Sequence, residues 1–76
     1  MSVNSEIARA FLIEHLAERG NTDIKALFLG QQYSETFQAF SFEVSYSWAN
    51  RPGIRTRNVK MEVLYEKDKD EFKILT

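Results

Sequence analysis

The chain contains no cysteine, one histidine and three widely separated glycines. Without cysteine, disulfide bridges, thiolate metal sites and cysteine-based nucleophilic triads are excluded, and without a second histidine so are histidine-based metal sites. The scattered glycines provide no glycine-rich loop for a phosphate group. The acidic run at residues 66–71 lacks the glycine and the distant glutamate of a calcium loop, so we predict a solvated turn there. We expect neither a metal nor a cofactor.

A long hydrophobic run is also missing. No apolar stretch approaches the roughly 20 residues that a membrane-spanning helix needs. Glu6 and Glu14 interrupt the apolar residues near the N-terminus, which is not the pattern of a signal peptide. We therefore expect a cytoplasmic protein with no membrane partner.

What the chain does contain is enough apolar material for one core, with 43% hydrophobic and 13% aromatic residues. Its 76 residues are close to the smallest size at which a single core sustains folding. We therefore expect one domain over residues 1–76, which a dimer contact or another partner would help to stabilise. The net charge of −1 gives no overall field of the kind that indicates a nucleic-acid-binding protein.

The N-terminal residues follow the 3.6-residue period of an amphipathic helix. We predict this helix over residues 5–19, with Asn4 or Ser5 as its N-cap and Gly20 as its stop. The residues of its apolar face are Ile7, Ala8, Phe11, Leu12, His15 and Leu16.

From residue 24 onward the period changes to two, which is typical of half-buried strands. The alternation is strongest over residues 40–48 and 59–65, and shorter strands are predicted at residues 24–28 and 72–74. This pattern predicts an α+β domain in which one helix packs on a four-stranded antiparallel meander, in the order α-β-β-β-β. That order of elements resembles the cystatin-like group of folds. The cystatin inhibitory motif is lacking, and because such folds host unrelated functions, the resemblance indicates no family.

The alternation of apolar and polar residues predicts how the two long strands pair. A slip of one residue in the pairing would turn a whole row of apolar side chains towards water. In the register that we predict, Tyr46 lies opposite Val59 and Trp48 lies opposite Arg57. Residues 51–54 are then the tip, with the proline second in a type II turn or in a wider loop.

The first hairpin is predicted to turn at residues 34–36. This turn sets Phe28 opposite Phe42 and Gly30 opposite Phe40. Both hairpins then present their apolar side chains to the same face of the sheet, under the helix.

The second hairpin is notable for its charge, since residues 45–60 hold four of the ten Lys/Arg residues and no acidic residue. A structural interpretation is that Arg57 covers Trp48 beyond the end of the helix through a cation–π contact. The functional interpretation is a surface for an anionic partner, either an acidic protein or single-stranded nucleic acid that stacks on Trp48. The residues of this candidate partner-binding surface are Trp48, Arg51, Arg55, Arg57 and Lys60.

The outer face of the sheet is predicted to expose leucines that form a possible dimer or partner surface. Glu43 opposite Glu62 would disfavour a dry interface there unless Lys60 lies between them. The residues of this possible dimer surface are Leu27, Leu29, Leu64 and Leu75.

His15 lies near the middle of the helix's apolar face. We interpret it as a partly buried, hydrogen-bonded side chain that reaches Tyr46 or Tyr65, because acid–base catalysis would require a second positioned group.

We predict that the protein is a small non-enzymatic interaction module. It would form a homodimer and bind another protein. The alternatives are a weak nucleic-acid-binding protein that uses the hairpin tip, and a small enzyme or ligand-binding protein with a pocket near His15.

Overall fold

The computed structural model describes residues 3–75, which form one helix followed by four strands. The strands make a single antiparallel sheet in the order β1-β2-β3-β4, so the predicted α+β meander is confirmed. No helix in this part of the chain is long and apolar enough to cross a membrane. The elements are α1 (Ser5–Glu18), β1 (Thr22–Tyr33), β2 (Phe37–Asn50), β3 (Gly53–Glu66) and β4 (Glu71–Leu75).

The helix begins and ends where local hydrogen bonding satisfies its free backbone groups. The Asn4 side chain accepts a hydrogen bond from the Ile7 N–H at 2.9 Å, which identifies Asn4 as the N-cap. At the other end the N–H groups of Gly20 and Asn21 donate to the carbonyls of Ala17 and Leu16. Gly20 has a φ of 89°, which glycine adopts without strain, and the resulting Schellman motif ends the helix as predicted.

The core lies between the helix and the inner face of the sheet. The predicted alternation is confirmed, because even residues of β2 (Phe40, Phe42 and Val44) and odd residues of β3 (Met61, Val63 and Tyr65) are buried in one core with the helix residues. From the helix, Ala8, Leu12 and Leu16 are buried, whereas Ile7, which we placed on the apolar face, is 43% exposed. The strand residues with 0% exposure are Phe40, Phe42, Val44 and Val63, and Tyr65 is 3% exposed.

The register of the second hairpin differs from the predicted one by two residues. Tyr46 lies opposite Arg57 rather than Val59, and Trp48 lies opposite Arg55 rather than Arg57. The cause is the turn: Asn50 pairs with Gly53, so residues 51 and 52 alone form the loop. The Arg51–Pro52 peptide is cis, and the proline is third in the turn, as in a type VI turn, rather than second.

The first hairpin confirms one predicted pair and not the other. Phe28 lies opposite Phe42, but Gly30 lies opposite Ser41 instead of Phe40. The pairing is irregular between Phe28 and Gly30, where Leu29 is an extra residue on β1. A bulge of this kind shifts all later pairs by one residue, which explains the difference.

The sheet extends well beyond the helix. A helix of 14 residues is about 21 Å long, whereas a strand of 14 residues is about 46 Å long. β1 pairs with β2 only up to Ser47, and β4 pairs with β3 only from Glu62. Residues 48–58 therefore project as a two-stranded ribbon, which we call the arm. With the arm, the structure measures 47 × 21 × 18 Å.

Candidate functional site: the arm and the groove at its base

The arm presents its basic side chains to solvent on more than one side. Residues 49–58 are all exposed, and Ile54 near the tip is 78% exposed. By strand alternation Arg55 and Arg57 lie on the inner face, which also holds Trp48, while Arg51 belongs to the turn. Lys60 points to the outer face, so the structure separates it from the other residues of the candidate surface.

A groove of about 650 Å³ opens where the arm leaves the helix. Tyr46 and Trp48 contribute two neighbouring rings, whose centroids are 5.9 Å apart with the planes inclined by 40°. Arg57 enters from β3, and Arg19 enters from the end of the helix. The remaining lining residues are His15, Leu16, Asn21, Met61 and Ile74. The groove therefore combines an aromatic surface with positive charge.

The predicted cover of Trp48 by Arg57 is replaced by a different arrangement. Arg57 lies across from Tyr46, and the ring that Trp48 contacts is that of Tyr46. Trp48 remains half-buried and lines the groove together with Arg57. Both residues thus face a space that a partner could occupy.

His15 is half-buried on the helix and borders the groove. Its ring stacks on Phe11 with a centroid distance of 6.4 Å, and Tyr46 lines the same groove. Tyr65, the other predicted neighbour, donates a hydrogen bond to Asp70 instead. This hydrogen bond, with burial and the carboxylate charge, raises the pKa of Tyr65. A small-ligand or catalytic site beside His15 stays a prediction.

The outer leucines lie on the predicted face but do not form one continuous patch. Leu27, Leu29 and Leu75 are 64%, 47% and 44% exposed, whereas Leu64 is half-buried. A polar row separates Leu29 from Leu75, since the Ser41 hydroxyl donates to the Glu62 carboxylate at 3.4 Å.

The charges on this face also differ from the prediction. The two-residue change in register places Glu43 opposite Lys60 and Ser41 opposite Glu62. Opposite charges therefore face each other where like charges were expected, which removes the predicted obstacle to an interface.

The far end of the sheet holds a small ion-pair cluster. Glu66 accepts from Lys73 at 2.8 Å and lies 3.5 Å from Lys69. The hydrogen bond with Lys73 lowers the pKa of Glu66 and raises that of Lys73. Among residues 3–75 no group of three or more histidine, cysteine, aspartate or glutamate side chains is arranged to hold a metal ion.

Comparison of the chain with protein-family models, with curated proteins and with solved structures gives no match. Function is therefore inferred from the geometry of the arm and the groove. Sequence reasoning proposed Trp48 and the arginines of the arm as candidates, of which Trp48 and Arg57 line the groove, but it did not place Arg19 and Asn21 there. The signal that could have found them is the difference in length between the helix and the strands, which places the end of the helix beside the base of the arm.

Proposed function

We propose that this chain is a small non-enzymatic module that binds another protein through the arm and the groove. The observation that supports this proposal is the arm itself, which projects beyond the core with three arginines, no acidic residue and a 78% exposed isoleucine at residue 54. Arginine and tryptophan are enriched among the residues that dominate binding energy at protein interfaces. Burial of Ile54 against an apolar partner surface would add a favourable hydrophobic contribution.

The proposal includes a homodimer formed through the outer face of the sheet. Leu27, Leu29 and Leu75 are apolar side chains exposed on this face, and Glu43 and Lys60 balance each other's charge there. A domain of 76 residues has a small core, so additional apolar burial between copies would stabilise it. The cystatin-like order of elements adds no activity to the proposal, since that arrangement hosts unrelated functions.

The test of protein binding is photo-crosslinking from the tip of the arm. A photoreactive phenylalanine analogue replaces Ile54 in one variant and Asp68, in the turn between β3 and β4, in a control variant. Each variant is irradiated in an extract of the cells that produce the protein. We expect position 54 to give a crosslinked product larger than the chain itself that nuclease treatment leaves unchanged, and position 68 to give none. Absence of such a nuclease-resistant product from position 54 would contradict the proposal.

A second candidate function is binding of single-stranded nucleic acid. The observation that favours it is the pair of adjacent Tyr46 and Trp48 rings beside Arg19 and Arg57. Stacked bases use aromatic faces of this kind, and the backbone phosphates use nearby positive charge. Titration with a single-stranded oligonucleotide at low salt, followed by Trp48 fluorescence, tests it. A fluorescence change that salt reverses would support this function, whereas a constant signal would exclude it.

A further inference from the structure

Among the described residues, the part of β3 nearest the tip pairs with another strand on one side only. β2 pairs with β3 from Gly53 to Glu66, whereas β4 pairs with it only from Glu62 onward. Within residues 3–75 no strand pairs with the other side of residues 53–61, which we call the open edge. The backbone groups of an antiparallel strand alternate between its two sides, so every second residue of the open edge directs its N–H and C=O groups away from β2.

The opposite edge of the sheet, β1, is less suited to accept another strand. Its pairing with β2 is irregular between Thr22 and Lys25 and again between Phe28 and Gly30. Such irregularities interrupt the row of donors and acceptors and twist an edge away from incoming strands. The open edge, by contrast, pairs with β2 in one uninterrupted register. Its free backbone groups therefore form a regular template.

The charge of the open edge indicates which strand would fit it. Arg55, Arg57 and Lys60 lie on it, Arg51 adjoins it, and residues 51–61 include no aspartate or glutamate. Pairing of two copies through this edge would place basic side chains opposite basic side chains, and like charges directly opposite destabilise a sheet. A strand with acidic side chains would instead meet arginines on the inner face and a lysine on the outer face.

We propose that the open edge accepts an extended acidic segment of another protein as an additional strand of the sheet. This inference rests on the protein-binding function proposed above and names its partner class. The added strand would continue the sheet beyond the end of β4, where Ile74 and Arg57 line the groove. Its main-chain hydrogen bonds provide affinity and its alternate side chains provide specificity, as in strand addition to other sheet edges.

The test measures amide hydrogen exchange by NMR on the full chain, with and without a synthetic peptide. The peptide is as long as the open edge, has blocked termini and alternates glutamate with valine. We expect alternate amides of residues 53–61 to exchange at least roughly tenfold more slowly when the peptide is saturating, with β1 amides unchanged. Protection of the β1 amides instead, or no protection anywhere, would overturn the inference.

Two controls separate strand addition from simple attraction between charges. The same peptide, N-methylated at adjacent central residues, keeps its charge but loses donors on both of its edges, so we expect it to bind roughly tenfold or more weakly. Undiminished binding of the N-methylated peptide would overturn the inference while leaving the proposed function intact.

The second control is a pair of variants that tests the position of the charge. Arg57→Glu is expected to raise the dissociation constant of the peptide roughly three- to tenfold. Lys25→Glu, on the β1 edge, makes the same change in net charge, and its dissociation constant should stay within about twofold of the wild-type value. Equal effects of both variants would also overturn the inference. Crosslinking from position 54 is an independent measurement, so failure of the peptide test and failure of the protein-binding proposal are distinguishable.

Discussion

Replacement of Phe42 by alanine is expected to remove most of the stability of this domain. Phe42 is 0% exposed at the centre of β2, where it faces the helix and pairs with Phe28 on one neighbouring strand and Met61 on the other. The centroid of its ring lies 5.7 Å from that of the Phe28 ring. Loss of a buried phenylalanine side chain costs about 3–5 kcal/mol, because the transfer free energy is lost and a cavity remains.

The expected cost is large compared with the total stability. At about 0.05–0.15 kcal/mol per residue, a chain of 76 residues has an unfolding free energy of roughly 4–11 kcal/mol. The Phe42→Ala variant would therefore be barely folded or unfolded in the absence of denaturant. Urea unfolding followed by circular dichroism measures the difference, provided that the dependence of the free energy on urea stays the same in both proteins.

Two further substitutions make this prediction easy to refute. Phe28→Ala should cost less, because Phe28 is 40% exposed on the edge strand. Ser45→Ala, on the outer face of β2, should change the unfolding free energy by less than about 0.5 kcal/mol. The expected order of cost is Phe42, then Phe28, then Ser45. An equal cost for Phe42 and Ser45 would show that the inner and outer faces have been assigned wrongly.

The remaining predictions concern charge and association. Arg57→Ala should change the unfolding free energy by less than about 0.5 kcal/mol in urea titrations, because Arg57 is exposed; a loss of several kcal/mol would reveal a structural role. Since the pKa of Glu66 is lowered in the folded state, its stabilising effect is present above its ordinary pKa and is lost as pH falls through the lowered value. Urea unfolding between about pH 5 and pH 2 should therefore show a smaller loss of stability for Glu66→Gln than for the wild type, and equal losses would contradict this. Leu75→Lys should shift a dimer towards monomer in sedimentation without unfolding the chain, and a wild type that is already monomeric at high concentration would refute the homodimer.

The faces of the elements were predictable from the sequence because they follow from local periods. The helix and its stop at Gly20 came from the 3.6-residue period and the chemistry of helix ends. The inner face of β2 came from strict alternation, which assigns one side of a strand to the core. Each of these properties depends on residues that are neighbours in the sequence.

Strand register was not predictable in the same way. A shift of two residues keeps every apolar side chain on the inner face, so the hydrophobic pattern fits both the predicted register and the observed one equally well. Only the turn distinguishes them: the predicted turn has Pro52 as its second residue, and the observed turn has it as its third. In the sequence, the bulge at Leu29 is indicated by the isolated glycine that follows it within the strand.

The two-residue change in register alters the functional interpretation of the arm. In the predicted register Arg57 lies opposite Trp48, and a cation–π contact would explain both residues without any partner. In the structure Arg57 lies opposite Tyr46, Trp48 contacts Tyr46, and both residues line an open groove. The predicted contact between Arg57 and Trp48 is therefore replaced by other neighbours, and Arg55 now lies opposite Trp48. The protein-binding function proposed above would use this exposed basic ribbon, and the backbone groups of residues 53–61 that point away from β2 would provide its directional hydrogen bonds.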